Sequence, residues 1–185
     1  LVESFLGFKK SRTFAKRRRT GMKPALFIID MQNEYFNSNQ AYSDSLNSAT
    51  EYINAAIDLF RKKNLPIVVI QHKDEETGNV PGNPGFDVSK TVNLEPQDIR
   101  IVKTYSNAFT KTGLAEKLKE LGVDIVIVTG FMAEGCVLST YRGALDFDLR
   151  PIVLRGSIAS DNAEHIRFVE EISETISFGA LRAFL

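Results

Sequence analysis

One cysteine, two histidines and no tryptophan occur among the 185 residues. A single cysteine excludes an intrachain disulfide framework and any cysteine-rich zinc site. No apolar run approaches the roughly 20 residues that a membrane-spanning helix needs, so a soluble protein is expected. No G-x-G-x-x-G opens a helix, and the stretch Gly130 to Gly135 is not followed by Lys-Ser/Thr, which leaves a phosphate-cradling role without support. Internal repeats and low-complexity stretches are lacking too. What remains is a composition of 43% hydrophobic and 25% charged residues, typical of a globular domain. The length suits one α/β domain and is short for two.

The formal net charge is zero, but the two signs are unevenly placed. Lys9, Lys10, Arg12, Lys16, Arg17, Arg18, Arg19 and Lys23 face only Glu3 at the start of the chain. The remaining residues carry 15 basic and 22 acidic side chains. The body is therefore acidic, and a basic patch for nucleic acid is not expected on it. Residues 1–21 are read as a basic leader outside the fold, either a tail or translated upstream sequence, with Met22 a plausible start. Their composition also resembles an organelle transit sequence or a short basic localisation signal. A cytoplasmic location is expected, or an organellar one if the leader is a transit sequence. Residues 22–185 are expected to form a single domain.

Along that domain, strand and helix patterns alternate. Ala25 to Ile29 is an apolar run ending at Asp30. Leu46, Ala49, Ile53, Ala56, Ile57 and Phe60 make one helical face that stops near Asn64 and Pro66. Ile67 to Ile70 is the next strand. Residues 73 to 98 are polar and rich in Gly and Pro, long enough for a lid or a subunit contact. Ile99 to Val102 is a short strand before Lys103. Leu114, Leu118 and Leu121 mark a helix, with Thr110 a candidate N-cap and Gly122 a candidate C′ residue. Ile125 to Val128 is a β-branched run, as in a strand covered on both faces. Val137, Leu138, Tyr141, Ala144 and Leu145 then recur at helical spacing. A strand at Ile152 to Leu154 precedes a last helix carrying Ile166, Val169, Ile172 and Ile176. Residues 178 to 185 receive no assignment. The pattern implies α/β architecture: a three-layer αβα, doubly wound, mostly parallel sheet of Rossmann-like type.

In such a sheet, ligands bind outside the carboxyl ends of the strands. Asp30, Lys103 and Cys136 each lie just past the carboxyl end of a different expected strand, so all three reach the same edge. An acid, a base and a nucleophile there make a catalytic set. Cys136 at the first turn of a helix would feel the positive end of the backbone dipole, which favours thiolate. Each residue also has an ordinary reading. Cys136 could be a small buried hydrophobe, Asp30 a turn cap, and Lys103 a surface lysine.

Three segments together resemble the isochorismatase-like cysteine hydrolases, a superfamily that includes nicotinamidases and N-carbamoylsarcosine amidase. They are Phe27-Ile28-Ile29-Asp30-Met31-Gln32-Asn33-Glu34-Tyr35-Phe36, then Val102-Lys103-Thr104-Tyr105-Ser106-Asn107-Ala108-Phe109 with Thr112-Gly113-Leu114, and Val128 to Thr140 around Cys136. The resemblance runs from Ala25 to about Val169. It implies an Asp30, Lys103, Cys136 triad, and an oxyanion hole from the backbone N–H groups of Met132 and Cys136. It also implies a non-proline cis bond between Phe131 and Met132. Gln32, Phe36, Tyr105, Phe109 and Phe131, which flank the triad segments, are candidates for the substrate pocket. Gln32 would help orient Asp30, while the aromatics could equally be core residues.

The resemblance departs in one respect. Nicotinamidases bind a divalent ion through an Asp-x-His arrangement and a further histidine after the second strand. Gln71-His72-Lys73-Asp74 does not reproduce it, so no metal and no other cofactor is expected. His72 reads as a polar strand-end residue that could touch substrate, and His165 as structural. The expected activity is metal-independent hydrolysis of a small-molecule amide, carbamoyl or related C–N bond through a Cys-thioester. The alternatives are isochorismatase-type vinyl ether hydrolysis, which needs no thiol, and a catalytically silent binding or scaffold member. The expected partners are a small-molecule substrate and further copies of the chain in a dimer or tetramer, with no nucleic acid and no membrane.

Overall fold

The computed structural model describes residues 22–185, so the expectation for the basic leader falls outside the described residues. Strand β1 (Pro24–Ile29) is followed by a single turn, α1 (Asn33–Phe36), and the long helix α2 (Gln40–Lys62). Strands β2 (Ile67–His72) and β3 (Ile99–Lys103) precede helix α3 (Leu114–Glu120). Strand β4 (Ile125–Phe131) runs into a π-helical turn at Ala133–Val137 and helix α4 (Leu138–Asp146). The chain closes with β5 (Arg150–Ala159), α5 (Ala163–Ile172), β6 (Thr175–Ile176) and α6 (Phe178–Phe184).

The six strands form one sheet in the order β3-β2-β1-β4-β5-β6, and every neighbouring pair is parallel. Strand β1 is buried along its whole length, and its side chains alternate between two cores. Ala25, Phe27 and Ile29 pack with Leu114 and Leu118 of α3, Tyr141 and Ala144 of α4 and Val169 of α5. Leu26 and Ile28 pack on the opposite face with Leu46, Ile53, Ile57 and Phe60 of α2 and Leu181 of α6. Each of those α2 side chains contributes about 1.5–3 kcal/mol on leaving water, which outweighs the modest intrinsic preference of any one residue for helix. The helix is bounded as its sequence suggests. Asn39 caps it by accepting from the Tyr42 N–H at 2.9 Å, and Asn64 leaves it with φ of 52°.

Several expectations need correction. Gly113, with φ of 70°, occupies the N-cap of α3, while Thr112 and not Thr110 accepts from the Leu114 N–H. Strand β5 extends from Arg150 to Ala159, well beyond Ile152 to Leu154. Ile176 does not continue α5, because Ser173 turns the chain extended and Ile176 pairs with Leu154 in β6. Residues 178–184 are helical and capped by Ser177, which accepts from the Ala180 N–H at 3.3 Å. Gly122 does leave α3 in the left-handed region, with φ of 69°. No helix among the described residues is long and apolar enough to cross a membrane.

The strand order reverses between β1 and β4, the position at which open α/β sheets place ligands beyond the strands' carboxyl ends. Close approach there depends on Gly130, which lies opposite Ile29 with φ of 110°. A Cβ at this position would stand 2.1 Å from the Ile29 carbonyl oxygen. Gly130→Ala should therefore lose about 3 kcal/mol or more in urea unfolding, from backbone strain plus overlap. Gly122→Ala, which meets no atom within 4 Å, should lose only the left-handed penalty of about 1–2 kcal/mol. Equal losses in the two variants would contradict a steric requirement at Gly130.

Candidate active site

Asp30, His72, Lys103 and Cys136 meet at the carboxyl edge of the sheet. Asp30 follows β1 directly, with φ of 51°, and its N–H donates to the Ile70 carbonyl at 2.9 Å. His72 and Lys103 are the last residues of β2 and β3 and lie opposite one another in the parallel register. Cys136 lies in the π-helical turn between β4 and α4 rather than in the first turn of a regular helix. The side chain of Lys103 is fully buried. Its Nζ donates to Asp30 Oδ2 at 2.8 Å, to His72 Nδ1 at 3.0 Å and to Cys136 Sγ at 3.2 Å. An ammonium has three N–H donors, and here each has an acceptor.

The electrostatics differ from those of a thiol poised as thiolate. Burial pushes the Cys136 thiol up to about 12, and the Asp30 charge adds to the rise against the opposing pull of Lys103. This balance favours the thiol over the thiolate at rest. Burial also pushes the Asp30 carboxyl above its ordinary range, with Lys103 opposing, and so strengthens it as a base. The other carboxylate oxygen, Asp30 Oδ1, is buried without a hydrogen-bond partner. Burial and the neighbouring Lys103 lower His72, which keeps its imidazole neutral near pH 7 and able to accept through Nδ1.

Gln32 makes a contact the sequence did not reveal. Its side-chain amide donates to the His72 carbonyl at 3.0 Å and accepts from the His72 N–H at 2.7 Å. It therefore fixes the end of β2 and has no hydrogen bond to Asp30. The candidate pocket aromatics divide. Phe131 is buried between the rings of Tyr35, at 4.8 Å, and Tyr42, at 5.1 Å. Tyr35 is raised well above the ordinary phenol range by burial first and then by the charges of Asp30 and Cys136, which places it beside the cluster. Phe36 is partly buried against the α2 side of the core. Phe109 is a core residue, packed between Phe27 and Phe147. Tyr105 is 45% exposed, and its hydroxyl accepts from Lys111 at 2.9 Å. Tyr35 and Tyr42 pack on Phe131 next to the Cys136 turn, although nothing in their sequence spacing singles them out.

The cis bond between Phe131 and Met132 is present, at the entry to the Cys136 turn. That turn is tied down by Glu134, which accepts from Ser160 Oγ at 3.1 Å and pairs with His165 Nδ1 at 2.5 Å. His165 is thereby held against the turn. The long loop is also fastened to the site, through Asn33 N–H to Asp87, Glu34 N–H to Gly85 and Ser89 N–H to Met31, each at 2.9 Å. Donor atoms of Asp30, His72 and Cys136 lie within 4.8 Å of one another, as the ligands of a metal ion would. Lys103 Nζ is bonded to those same three side chains and supplies the positive charge itself. The set therefore does not fit a divalent ion.

The family model for the isochorismatase domain matches residues 24–171. Among similar curated proteins, an isochorismatase family protein of Bacillus subtilis (strain 168), YddQ, is 31% identical over 130 residues, covering 68% of this chain and 71% of its own. A maleamate amidohydrolase of Pseudomonas putida is 25% identical over 161 residues, covering 78% of this chain and 76% of its own. An N-carbamoylsarcosine amidase of Arthrobacter is 27% identical over 170 residues, covering 80% and 63% respectively. Among solved structures, an isochorismatase-like hydrolase from Alkaliphilus metalliredigens superposes with a TM-score of 0.79 at 22% identity, over 87% of this chain and 98% of its own. N-carbamoylsarcosine amidase from Thermoplasma acidophilum does so with a TM-score of 0.73 at 25% identity, over 84% and 95%. The family match spans β1 through most of α5 and takes in every residue of the Asp30, His72, Lys103 and Cys136 cluster, and the chain belongs to the isochorismatase family of hydrolases.

Proposed function

We propose that this chain hydrolyses a small-molecule amide, carbamoyl or related C–N bond, with Cys136 as nucleophile and no metal ion. The observation that carries this reading is the Lys103 ammonium bonded at once to the Asp30 carboxylate and the Cys136 sulfur. Two relatives, a maleamate amidohydrolase and an N-carbamoylsarcosine amidase, agree with it by their named activities.

The chemistry follows from the charges. Asp30 takes the Cys136 proton as sulfur attacks the carbonyl carbon, so the negative charge moves from carboxylate to thiolate and on to the carbonyl oxygen. Lys103 contacts both partners, and its positive charge compensates the pair before and after the proton moves. The oxyanion is received by the backbone N–H groups of Met132 and Cys136 at the turn. Collapse of the tetrahedral intermediate breaks the C–N bond, and Asp30 returns its proton to the departing nitrogen. Asp30 then takes a proton from water as that water attacks the thioester, and Cys136 leaves as the thiol once Asp30 gives the proton back.

On this reading, a panel of small amides followed by release of ammonia or amine should include at least one substrate. Cys136→Ala should lower its turnover by about 10⁴-fold or more, and Asp30→Asn by about 10²–10⁴-fold. Full activity in Cys136→Ala would contradict Cys136 as the nucleophile. The kcat/KM profile should fall on the acid side as Asp30 becomes protonated, at a pH above the ordinary carboxylate value of 3.8. Because burial favours the protonated thiol, its alkylation by iodoacetamide should keep rising past the free-thiol inflection of ~8.5. An inflection well below neutrality would contradict proton transfer to Asp30 as the activating step.

A further inference from the structure

His72 is the member of the cluster that the proton-transfer scheme does not use. Its Nδ1 lies 3.0 Å from Lys103 Nζ. An ammonium can only donate, so Nδ1 must present its lone pair and the imidazole proton must reside on Nε2. Its backbone is fixed with unusual completeness. Both its N–H and its carbonyl are engaged by the Gln32 side chain, and Asn79 Nδ2 donates to the same carbonyl at 3.3 Å. Gln32 itself is fully buried. The charged and titratable groups around the imidazole are Lys103 on β3, Asp30 after β1, Asp74 on the following loop and Cys136 in the π-helical turn.

We propose that His72 is a positioning residue for Lys103, acting as a neutral third acceptor that aims the ammonium at Asp30 and Cys136 together. This inference rests on Cys136 being the nucleophile. Neutrality is the functional property. During proton transfer the negative charge leaves Asp30 and appears on sulfur, and Lys103 must serve each in turn. A neutral lone pair fixes the rotation of the ammonium without competing for its charge. A carboxylate at the same place would draw the ammonium toward itself and add negative charge beside the thiol. Without any acceptor, one N–H of a fully buried ammonium would be left unpaired, and the group would turn away or admit water. Gln32 contributes one step further out, by holding His72 on the β2 end.

The side-chain oxygen of asparagine stands at nearly the position of histidine Nδ1, which allows the charge of the acceptor to be varied alone. His72→Asn, His72→Asp and His72→Leu would be compared with the parent for Cys136 alkylation by iodoacetamide across pH, with thermal melting of each. His72→Asn should follow the parent curve. His72→Asp should be about tenfold slower at about pH 9, with its curve displaced to higher pH, and His72→Leu should also be about tenfold slower. If His72→Leu does not melt cooperatively, the isosteric Asn and Asp pair decides. Folded Asp and Leu variants that alkylate along the parent curve would overturn the positioning role alone. So would an Asn variant as slow as Leu. A parent thiol inert at every pH would overturn the nucleophile reading, and the His72 role with it.

Discussion

A protonated amine with no solvent contact must find a protein acceptor for each of its N–H bonds or abandon its charge. Lys103 meets that condition with Asp30, His72 and Cys136. The arrangement at the site follows from this one constraint. The acceptors lie on chain segments 73, 31 and 33 residues away in sequence, so only a fold that brings three strand ends to one edge can supply them together. The parallel sheet does this, and the strand order reverses between β1 and β4, the two strands that lead into Asp30 and the Cys136 turn. The same ammonium replaces the positive charge that a metal ion would bring, and one ligand set cannot serve both.

The scaffold is rigid where that convergence needs rigidity. β1 and β4 are buried throughout, with apolar side chains on both faces of the sheet. Gly130 lets the two strands approach at the last pair before the turn. Glu134 ties the Cys136 turn to Ser160 and His165, and the loop between β2 and β3 is fastened to the segment after Asp30. The burial that makes this precision possible also raises the thiol, and the proposed transfer of its proton to Asp30 answers that cost without a resting thiolate.

The parts of the fold written in local periodicity were legible in the sequence. The α2 face from Leu46 to Phe60, the strand at Ile125 to Val128 and the left-handed Gly122 all follow from spacing or backbone freedom. β6 was not legible, because two residues become a strand only by pairing with Val153 and Leu154. Ile176 therefore looked like another turn of α5. The seven-residue α6 carries too little periodic pattern to stand out, and its cap at Ser177 takes effect only once the chain reverses there. At the site, Asp30, Lys103 and Cys136 could be placed on one edge from strand ends and family motifs. The tasks of His72 and Gln32 depend on the register of β2 against β3 and on a side-chain to backbone clamp, neither of which has a sequence signature. The thiol was expected to favour thiolate because a helix start was visible and the depth of burial was not.

The central claim is that Cys136 becomes covalently acylated during C–N bond hydrolysis. Rapid acid quench of the protein turning over an amide substrate, followed by peptide mass spectrometry, tests it most directly. The account predicts an acyl mass increment on the peptide carrying Cys136, appearing before product accumulates and lacking in Cys136→Ala. Sustained turnover with no such adduct, at a rate that Cys136→Ala preserves, would contradict it.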